Sequence, residues 1–137
     1  MRLKQISVFL ENTPGHLERV CKTIADAKIN INTITIAETR DYGIVRTIVD
    51  NPEKAETVLK ENGFFAKIID VLAVEVDDTP GALLAILTKT SMAGINIEYM
   101  YAMTRPMHDK PVMIMAFKDI DAAEAILSGN SNNTQIA

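Results

Sequence analysis

The sequence has one cysteine, Cys21, no tryptophan and no long apolar run. A single cysteine excludes an intramolecular disulfide and every Cys-x-x-Cys metal or redox motif. No apolar run approaches the roughly 18 residues of a membrane-spanning helix. Polar residues interrupt the short apolar stretch of MRLKQISVFLENTPG, which therefore lacks the pattern of a secretory signal. These features predict a cytoplasmic protein without a membrane partner.

Positive charge is also scarce. The chain has 14 Lys and Arg residues against 18 Asp and Glu residues, a formal net charge of −4, and its basic residues form no cluster. A surface that binds a phosphate backbone needs such a cluster, so we expect no nucleic-acid partner. The 47% hydrophobic content of the 137 residues is typical of a globular protein, and the length fits one ordinary domain or two small ones.

Groups suited to catalysis are few and scattered. The two histidines, His16 and His108, stand far apart, and no carboxylate pair, metal-ligand cluster, phosphate-binding loop or dinucleotide fingerprint occurs. The only thiol, Cys21, falls on the inner stripe of a predicted helix, where we expect a buried apolar side chain. The sequence therefore predicts that the protein is not an enzyme, with no catalytic residues, no metal site and no cofactor.

One motif occurs twice in the chain. Thr-Pro-Gly-x-Leu stands at residues 13–17 and again at residues 79–83. When residues 12–36 are aligned without a gap on residues 78–102, the identical pairs are Thr13/Thr79, Pro14/Pro80, Gly15/Gly81, Leu17/Leu83, Ala27/Ala93, Ile29/Ile95, Asn30/Asn96 and Ile31/Ile97. Identity at one constant offset indicates an internal repeat, with two tandem copies of one unit.

Apolar periodicity predicts a strand before each motif and a helix after it. The alternating apolar residues of the strands are Ile6, Val8 and Leu10 in copy one and Leu72, Val74 and Val76 in copy two. The helices are indicated by spacings of i, i+3, i+4 and i+7, at Leu17, Val20, Cys21 and Ile24, then at Leu83, Ile86, Leu87 and Thr90.

Each copy continues with two strands joined by a turn and then with a second helix. The strands are predicted at residues 31–39 and 43–50 in copy one and at residues 97–104 and 111–118 in copy two. The second helices are predicted at residues 52–62 and 119–128. Copy one closes with a strand at residues 64–69 that leads into copy two without a linker. The polar end of copy two, SGNSNNTQIA, is a poor strand, so its fourth strand is short, frayed or supplied from elsewhere.

This order of elements is the βαββαβ unit, written twice. The predicted fold class is α+β, with two ferredoxin-like units at residues 1–69 and 70–137. Each unit has an antiparallel sheet covered on one face by two helices.

The Thr-Pro-Gly loop has the composition of an anion site. Thr13 and Thr79 are the predicted helix N-caps, and the prolines after them take the first helical position, where a missing N–H has no cost. The next amides have no partner within the helix and, with the helix dipole, can bind the carboxylate of an amino acid. Asn12 and Asp78, just before the loop, offer a neutral and a charged acceptor to an ammonium group, although both residue types also form turns by themselves.

Two features of the loop have two interpretations each. Gly15 and Gly81 cost about 0.5–1 kcal/mol against alanine in a helix. Either a ligand approaches the backbone closely there, or the turn needs dihedrals that glycine adopts easily. His16, which copy two replaces with Ala82, either reaches over a pocket and selects the ligand or is an exposed histidine in the first helical turn.

With a strand that ends in Asn-Thr-Pro-Gly-x-Leu, and with Ile-Asn-Ile one helix later, the chain resembles two tandem ACT domains, the regulatory modules of many enzymes of amino-acid metabolism. The resemblance implies that units pair side by side into an eight-stranded sheet and bind amino acids at their interface. It implies that the backbone at Asn30, Ile31, Asn96 and Ile97 lines the pocket of a neighbouring unit. Asn32 faces the same way as Asn30 and is Glu98 in copy two, so two sites would differ. The sequence shows no catalytic domain beside the two copies.

The predicted ligand-binding residues are the loop residues and those that the resemblance adds: Asn12, Thr13, Gly15, His16, Leu17, Asn30, Ile31, Asn32, Asp78, Thr79, Gly81, Ala82, Leu83, Asn96 and Ile97. Two functions fit them. In the first, a non-catalytic homodimer senses an amino acid and signals to an enzyme of amino-acid metabolism or another regulator. In the second, the protein is a structural or dimerisation module whose edge strands pair and whose loops bind no ligand.

Overall fold

The computed structural model describes residues 1–104 and 109–128. These residues form six strands and four helices: β1 (Arg2–Glu11), α1 (His16–Asp26), β2 (Ile31–Glu38), β3 (Tyr42–Val49), α2 (Pro52–Glu61), β4 (Phe65–Glu75), α3 (Ala82–Met92), β5 (Ile97–Ala102), β6 (Val112–Phe117) and α4 (Ile120–Ser128). The predicted α+β class is confirmed.

The chain divides into two compact units. The first unit is Lys4–Ile69, and the second combines Met1–Leu3 with the chain from Asp70 onward. Strands β1 and β4 therefore each have residues in both units. Residues 1–3 fall in the first domain predicted from the sequence, whereas their contacts group them with the second unit.

In the first unit the strands lie in the order β2-β3-β1-β4, with β1 and β2 antiparallel to β3. The register pairs Val8 with Val45. Because successive side chains of a strand point to opposite faces, Ile6, Val8 and Leu10 share one face of β1. The core on that face contains Ile6, Val8, Leu10, Val20, Ile24, Val45, Ala55 and Leu59. Both helices, α1 and α2, therefore cover the same face of the sheet, as predicted.

The second unit repeats this arrangement. Strand β6 lies between β4 and β5 and is antiparallel to both. The core combines residues of β4 and β6 with residues of α3 and α4: Leu72, Val74, Val76, Ile86, Met115, Phe117, Ala123 and Leu127. The alternating apolar positions predicted for the first strand of copy two are thus the ones that face its helices.

The first residues of the chain lie where the fourth strand of the second unit is expected. The Met1 carbonyl accepts a hydrogen bond from the Ala73 amide at 2.9 Å. Arg2 forms ion pairs with Asp121 and Glu124 of α4. These contacts fit the third alternative for this strand, supply in another way. Residues 129–137 of the polar SGNSNNTQIA segment lie outside the described residues.

The observed strands differ from the predicted ones in two respects. The closing strand of copy one and the opening strand of copy two form a single strand, β4, because no turn residue separates them. Residues 1–104 and 109–128 contain six strands, so the eight-stranded sheet implied by the resemblance is not confirmed.

The inner stripe of α1 is narrower than predicted. Val20 and Ile24 are fully buried, whereas Leu17 is 38% exposed and Cys21 is half-buried. Leu17 lies in the first helical turn, before the turns that carry the buried residues. The expectation of a buried Cys21 is therefore only partly met, and its partial burial raises the pKa of the thiol above its ordinary value.

These two burial states predict different costs of truncation. Ile24→Ala should lower the free energy of unfolding by about 2–5 kcal/mol, because it removes buried methyl groups and leaves a cavity. Leu17→Ala should lower it by less than about 1 kcal/mol, because much of that side chain is already in water. Equilibrium urea denaturation measures both values, and equal losses would contradict the narrow stripe.

Candidate functional site

The loop between β1 and α1 is a tight turn. The Thr13 carbonyl accepts a hydrogen bond from the His16 amide at 3.4 Å, and the Gly15 carbonyl accepts one from the Arg19 amide at 3.0 Å. Gly15 has φ 90° and ψ −15°. These are the dihedrals of the third residue in a type II turn, and the second position of that turn favours proline, which is Pro14 here.

The loop between β4 and α3 has the same geometry. The Ala82 amide donates to the Thr79 carbonyl at 3.2 Å, and the Ala85 amide donates to the Gly81 carbonyl at 3.0 Å. Gly81 has φ 85° and ψ −5°. The repeated motif therefore encodes one backbone turn in both copies.

The helix N-caps differ from the prediction. Each helix begins at the residue after the motif's glycine, so glycine is the N-cap of α1 and of α3, and no side chain caps either helix. The prediction that Thr13 and Thr79 are N-caps is wrong. The reason is that Pro and Gly complete a turn before the first helical residue, which moves each helix start two residues along the chain.

The backbone dihedrals account for both glycines. A positive φ near 90° is unfavourable for residues with a Cβ atom and costs glycine nothing. A Cβ atom built at Gly15 or Gly81 would meet no atom within 4 Å. The turn alone therefore explains the glycines, and the space beside each of them is open.

Free amide groups lie at the start of both helices. The amides of Leu17 and Glu18 in α1, and those of Leu83 and Leu84 in α3, have no hydrogen-bond partner within residues 1–104 and 109–128. Glu18 is an acidic residue in the first turn of α1, whereas the first turn of α3 has none. The positive end of the helix dipole is thus less compensated at α3 than at α1.

The residues before the turns have different surroundings. The Asn12 side-chain amide donates to Glu38 Oε2 at 3.3 Å and to the Thr39 carbonyl at 3.3 Å, which ties the loop to the hairpin between β2 and β3. Its Nδ2 group is therefore already used within the protein. Asp78 is exposed, and its carboxylate has no hydrogen bond or ion pair within the described parts of the chain.

The remaining loop residues are partly buried. His16 is half-buried, so the interpretation of a fully exposed first-turn histidine is not met. Leu17 is 38% exposed. In copy two, Ala82 and Leu83 are half-buried and pack against the core of the second unit.

The Asn-Ile group of copy one lies by the end of β3. The Asn30 amide donates to Asp50 Oδ1 at 3.1 Å, and the Asn30 side chain donates to Asn32 Oδ1 at 3.3 Å. Ile31 packs against the core. In the second copy Asn96 is exposed, and Ile97 packs against the corresponding core.

The two groups of predicted residues do not meet within a unit. They lie at opposite ends of α1 in copy one and of α3 in copy two, and each helix has 11 residues. At 1.5 Å per residue, such a helix separates its ends by about 16 Å. One free amino acid does not span that distance, so the structure of a single unit gives two half-sites.

The concave surfaces of the described residues include two that no sequence motif indicates. One, of about 690 Å³, lies beside Asn96 and Glu98 and includes Lys118, Asp119 and Asp121 at the start of α4. The other, of about 540 Å³, is lined by Phe9, Leu10, Glu11, Ala37, Glu38, Thr39, Tyr42, Gly43 and Ile44. A motif could not reveal the second surface, because strand register alone brings its segments together.

Residues 1–104 and 109–128 contain no group of three or more His, Cys, Asp or Glu side chains placed to hold a metal ion. No helix in the same ranges is long and apolar enough to cross a membrane.

Comparison with known proteins gives a family match over nearly the whole chain. The sequence profile of the ACT domain pair family matches residues 1–133. The acetolactate synthase small subunit of Buchnera aphidicola subsp. Baizongia pistaciae is 32% identical over 79 residues, which cover 57% of this chain and 50% of that protein. The chain thus spans about half the length of this curated relative.

Solved structures agree with the fold. A protein of Bacteroides thetaiotaomicron has a TM-score of 0.88 at 35% identity, over 100% of this chain and 94% of that one. The ligand-free regulatory subunit of aspartate kinase from Thermus thermophilus has a TM-score of 0.62 at 19% identity, over 91% of this chain and 88% of that one. At 19% identity, the similarity to the aspartate kinase subunit shows the fold alone.

Because the turn glycine has a positive φ, replacing it by a residue that prefers negative φ should lower the free energy of unfolding. Gly15→Ala should lower the free energy of unfolding by about 1–2 kcal/mol, although nothing blocks the new methyl group. Gly15→Asn should lower it less, because asparagine adopts the left-handed conformation more readily. Urea denaturation measures both.

Gly63 provides the matched control. It has φ 86° and the same open space, but it lies after α2 and outside the Thr-Pro-Gly loops. Gly63→Ala should therefore lose the same free energy as Gly15→Ala. An unchanged free energy of unfolding in Gly15→Ala would contradict the argument from the dihedral.

Proposed function

The chain belongs to the ACT domain pair family, and from this premise we propose that it is a non-catalytic regulatory protein that binds an amino acid and signals to a partner protein. The observation that carries the proposal is the Thr-Pro-Gly turn. It occurs in both copies with the same dihedrals, and it leaves amide groups free at a helix N-terminus beside open space.

The chemistry of this loop fits an α-carboxylate. Free N–H groups at a helix start, together with the helix dipole, attract and hydrogen-bond an anion. No side-chain cap occupies those donors in α1 or α3. A ligand carboxylate would therefore add hydrogen bonds without displacing any that the protein already makes.

We propose further that the loop of copy two, Asp78–Leu83, binds the amino acid more tightly than the loop of copy one. Asp78 offers a charged acceptor to the ammonium group, whereas Asn12 already donates to the β2–β3 hairpin. Glu18 in the first turn of α1 would repel a ligand carboxylate, and Leu84 takes its place in α3. Both differences favour a zwitterion at the second loop.

The complete site would need a neighbouring unit, which we propose that a second copy of the chain supplies. Within one unit, the loop and the Asn-Ile group lie at opposite ends of a helix, so a neighbouring unit has to bring the second group to the loop. We propose a homodimer for this reason, with units side by side in an eight-stranded sheet. Its support is β2, the edge strand of the first unit, on which Ile34 is 39% exposed and Ile36 is 44% exposed.

The partner that we propose is an enzyme of amino-acid metabolism. The acetolactate synthase small subunit matches this chain over 79 residues, and its name is that of a subunit of such an enzyme. A protein made of two ACT domains would act on an enzyme by binding it in one ligand state more tightly than in the other.

The alternative is a structural or dimerisation module. The same exposed isoleucines on β2 support it, because an apolar edge strand can pair with another copy whether or not a ligand binds. The two functions differ in whether the Thr-Pro-Gly loops bind an amino acid.

A thermal-shift screen of the full chain against the twenty amino acids separates the two functions. A ligand present at a hundred times its Kd adds about 2.7 kcal/mol of stability, which gives a clear rise in Tm. For the amino acid that binds, its amide derivative should give a much smaller rise, because it lacks the carboxylate. The absence of a rise with all twenty at millimolar concentration would count against the sensor.

Asparagine substitutions locate the site. Gly81→Asn introduces a residue that tolerates positive φ but places a side chain in the open space. It should therefore lower the affinity for the amino acid about tenfold or more, as measured by calorimetry. Gly15→Asn should have the smaller effect. The control is Gly63→Asn, at φ 86° in equally open space after α2, and it should leave the affinity unchanged. Equal weakening by Gly63→Asn would show an effect on stability rather than on the loop.

A further inference from the structure

The first unit exposes an aromatic surface on the face of its sheet that the helices do not cover. The chain has four Phe, three Tyr and no Trp residues. Three of these, Phe9, Tyr42 and Phe65, are 48%, 66% and 67% exposed. The rings of Phe9 and Phe65 meet edge to face, with centroids 5.5 Å apart. Placing scarce aromatic side chains in water is unfavourable, and exposed apolar patches of this kind mark binding surfaces.

The concavity of about 540 Å³ forms part of this surface. The register of β1 and β3 pairs Phe9 with Ile44 and Glu11 with Tyr42, and β2 places Ala37 opposite Ile44. Since Val8, Leu10 and Val45 face the helices, these five side chains point to the other face. Leu10 and Glu38 both pair with Gly43, so their side chains point towards the helix face, and Gly43 contributes only main chain.

The size and composition of the concavity fit a small molecule. Ligand pockets commonly have volumes of about 300–1,000 Å³ and mostly apolar walls with few polar groups. Here the walls are Phe9, Ala37, Tyr42 and Ile44. Two aromatic rings among them favour a ligand with a ring of its own.

The charge that lines the concavity determines which polar group a bound ligand can carry. Glu11 is the charged side chain on this face of the pocket, and it makes no hydrogen bond or ion pair with any residue in the described ranges. No Lys or Arg lines the pocket. A cation would pair with Glu11 and lie near the face of the Tyr42 ring. A carboxylate would find no partner there and would be repelled by Glu11.

We propose that this concavity binds an arylalkyl amine, a molecule with an aromatic ring and a primary ammonium group but no carboxylate. Its ring packs between Phe9, Tyr42 and Ile44, and its ammonium group pairs with Glu11. Such a ligand differs from the amino acid proposed for the Thr-Pro-Gly loops by the carboxylate alone, so the protein would distinguish an aromatic amino acid from the corresponding amine by where it binds.

The test is a titration of the ¹⁵N-labelled full chain, followed by amide chemical shifts, with three probes that share a ring. These are 2-phenylethylamine, the neutral 2-phenylethanol and L-phenylalanine. The amine should shift the amides of Phe9, Glu11, Ala37, Tyr42 and Ile44 and bind about fivefold more tightly than the alcohol, the gain expected from one exposed ion pair. L-phenylalanine should bind this surface no more tightly than the alcohol. Shifts at the Thr-Pro-Gly loops report separately on the proposed amino-acid site.

Two variants with the same loss of charge test the role of Glu11. Glu11→Gln should reduce the affinity for the amine to that for the alcohol. Glu61→Gln, an exposed carboxylate at the end of α2 that does not line the concavity, should leave both affinities unchanged. Equal effects of the two variants would overturn the proposal, because general electrostatics would then explain the preference. Equal binding of amine and alcohol by the unaltered chain would overturn it as well.

A second measurement distinguishes a small ligand from a protein that covers the surface. Tyr42→Ser removes one wall of the concavity, so it should lower the affinity for the amine at least threefold. It should leave the molar mass of the protein in sedimentation equilibrium unchanged. If Tyr42→Ser instead lowers the mass, and the amine causes no shift at the five amides, the surface binds a second copy of the chain and the amine site does not exist.

Discussion

The positive φ of Gly15 and Gly81 is the constraint from which the rest of each unit follows. In both copies the chain has to leave a strand and return across the same face of the sheet as a helix. A type II turn achieves this in four residues, and its third position requires a φ that glycine adopts without strain. The turn sets where α1 starts, and so which residues of α1, Val20 and Ile24, face the sheet. It also leaves the first helical amides without a side-chain cap. The same backbone geometry therefore builds the core and opens the proposed effector site.

The regular elements could be predicted because each has a strong local period. Alternation at Ile6, Val8 and Leu10 is possible only for a strand with one buried face, and the helical spacing of Val20 and Ile24 is equally specific. The N-caps could not be predicted in the same way. Thr-Pro is the usual start of a helix and also the first half of a type II turn, and the glycine that decides between them has two explanations in the sequence. Only the observed φ and the open space beside the glycine distinguish the type II turn from a helix that starts at Thr-Pro.

Features that depend on pairing between distant segments could not be predicted from the sequence. No pattern in Met1–Leu3 indicates a position beside Ala73, and the ion pairs of Arg2 with α4 join residues more than a hundred positions apart. The aromatic concavity has the same origin, since Glu11 meets Tyr42 through the register of two strands. The family resemblance added the Asn-Ile groups to the predicted loop residues, and the structure of one unit places the two sets at opposite ends of a helix. Their joint role remains a prediction that concerns an assembled pair of units.

The two copies share one backbone arrangement but differ in the charges of their side chains. Register places Ile31 opposite Val49 and Ile97 opposite Phe117, so Asp50 and Lys118 follow equivalent positions. Asp50 accepts the hydrogen bond of the Asn30 amide, whereas a lysine at the corresponding place has no acceptor to offer.

The first helical turn diverges in the same sense, with Glu18 in one copy and Leu84 in the other. At these two positions a carboxylate ligand would meet more negative charge in the first copy, whereas Asp78 and Glu98 add negative charge to the second. Because backbone geometry is shared, these side chains alone would decide which copy responds. The differences between the copies therefore predict two loops of one backbone design that need not bind the same ligand.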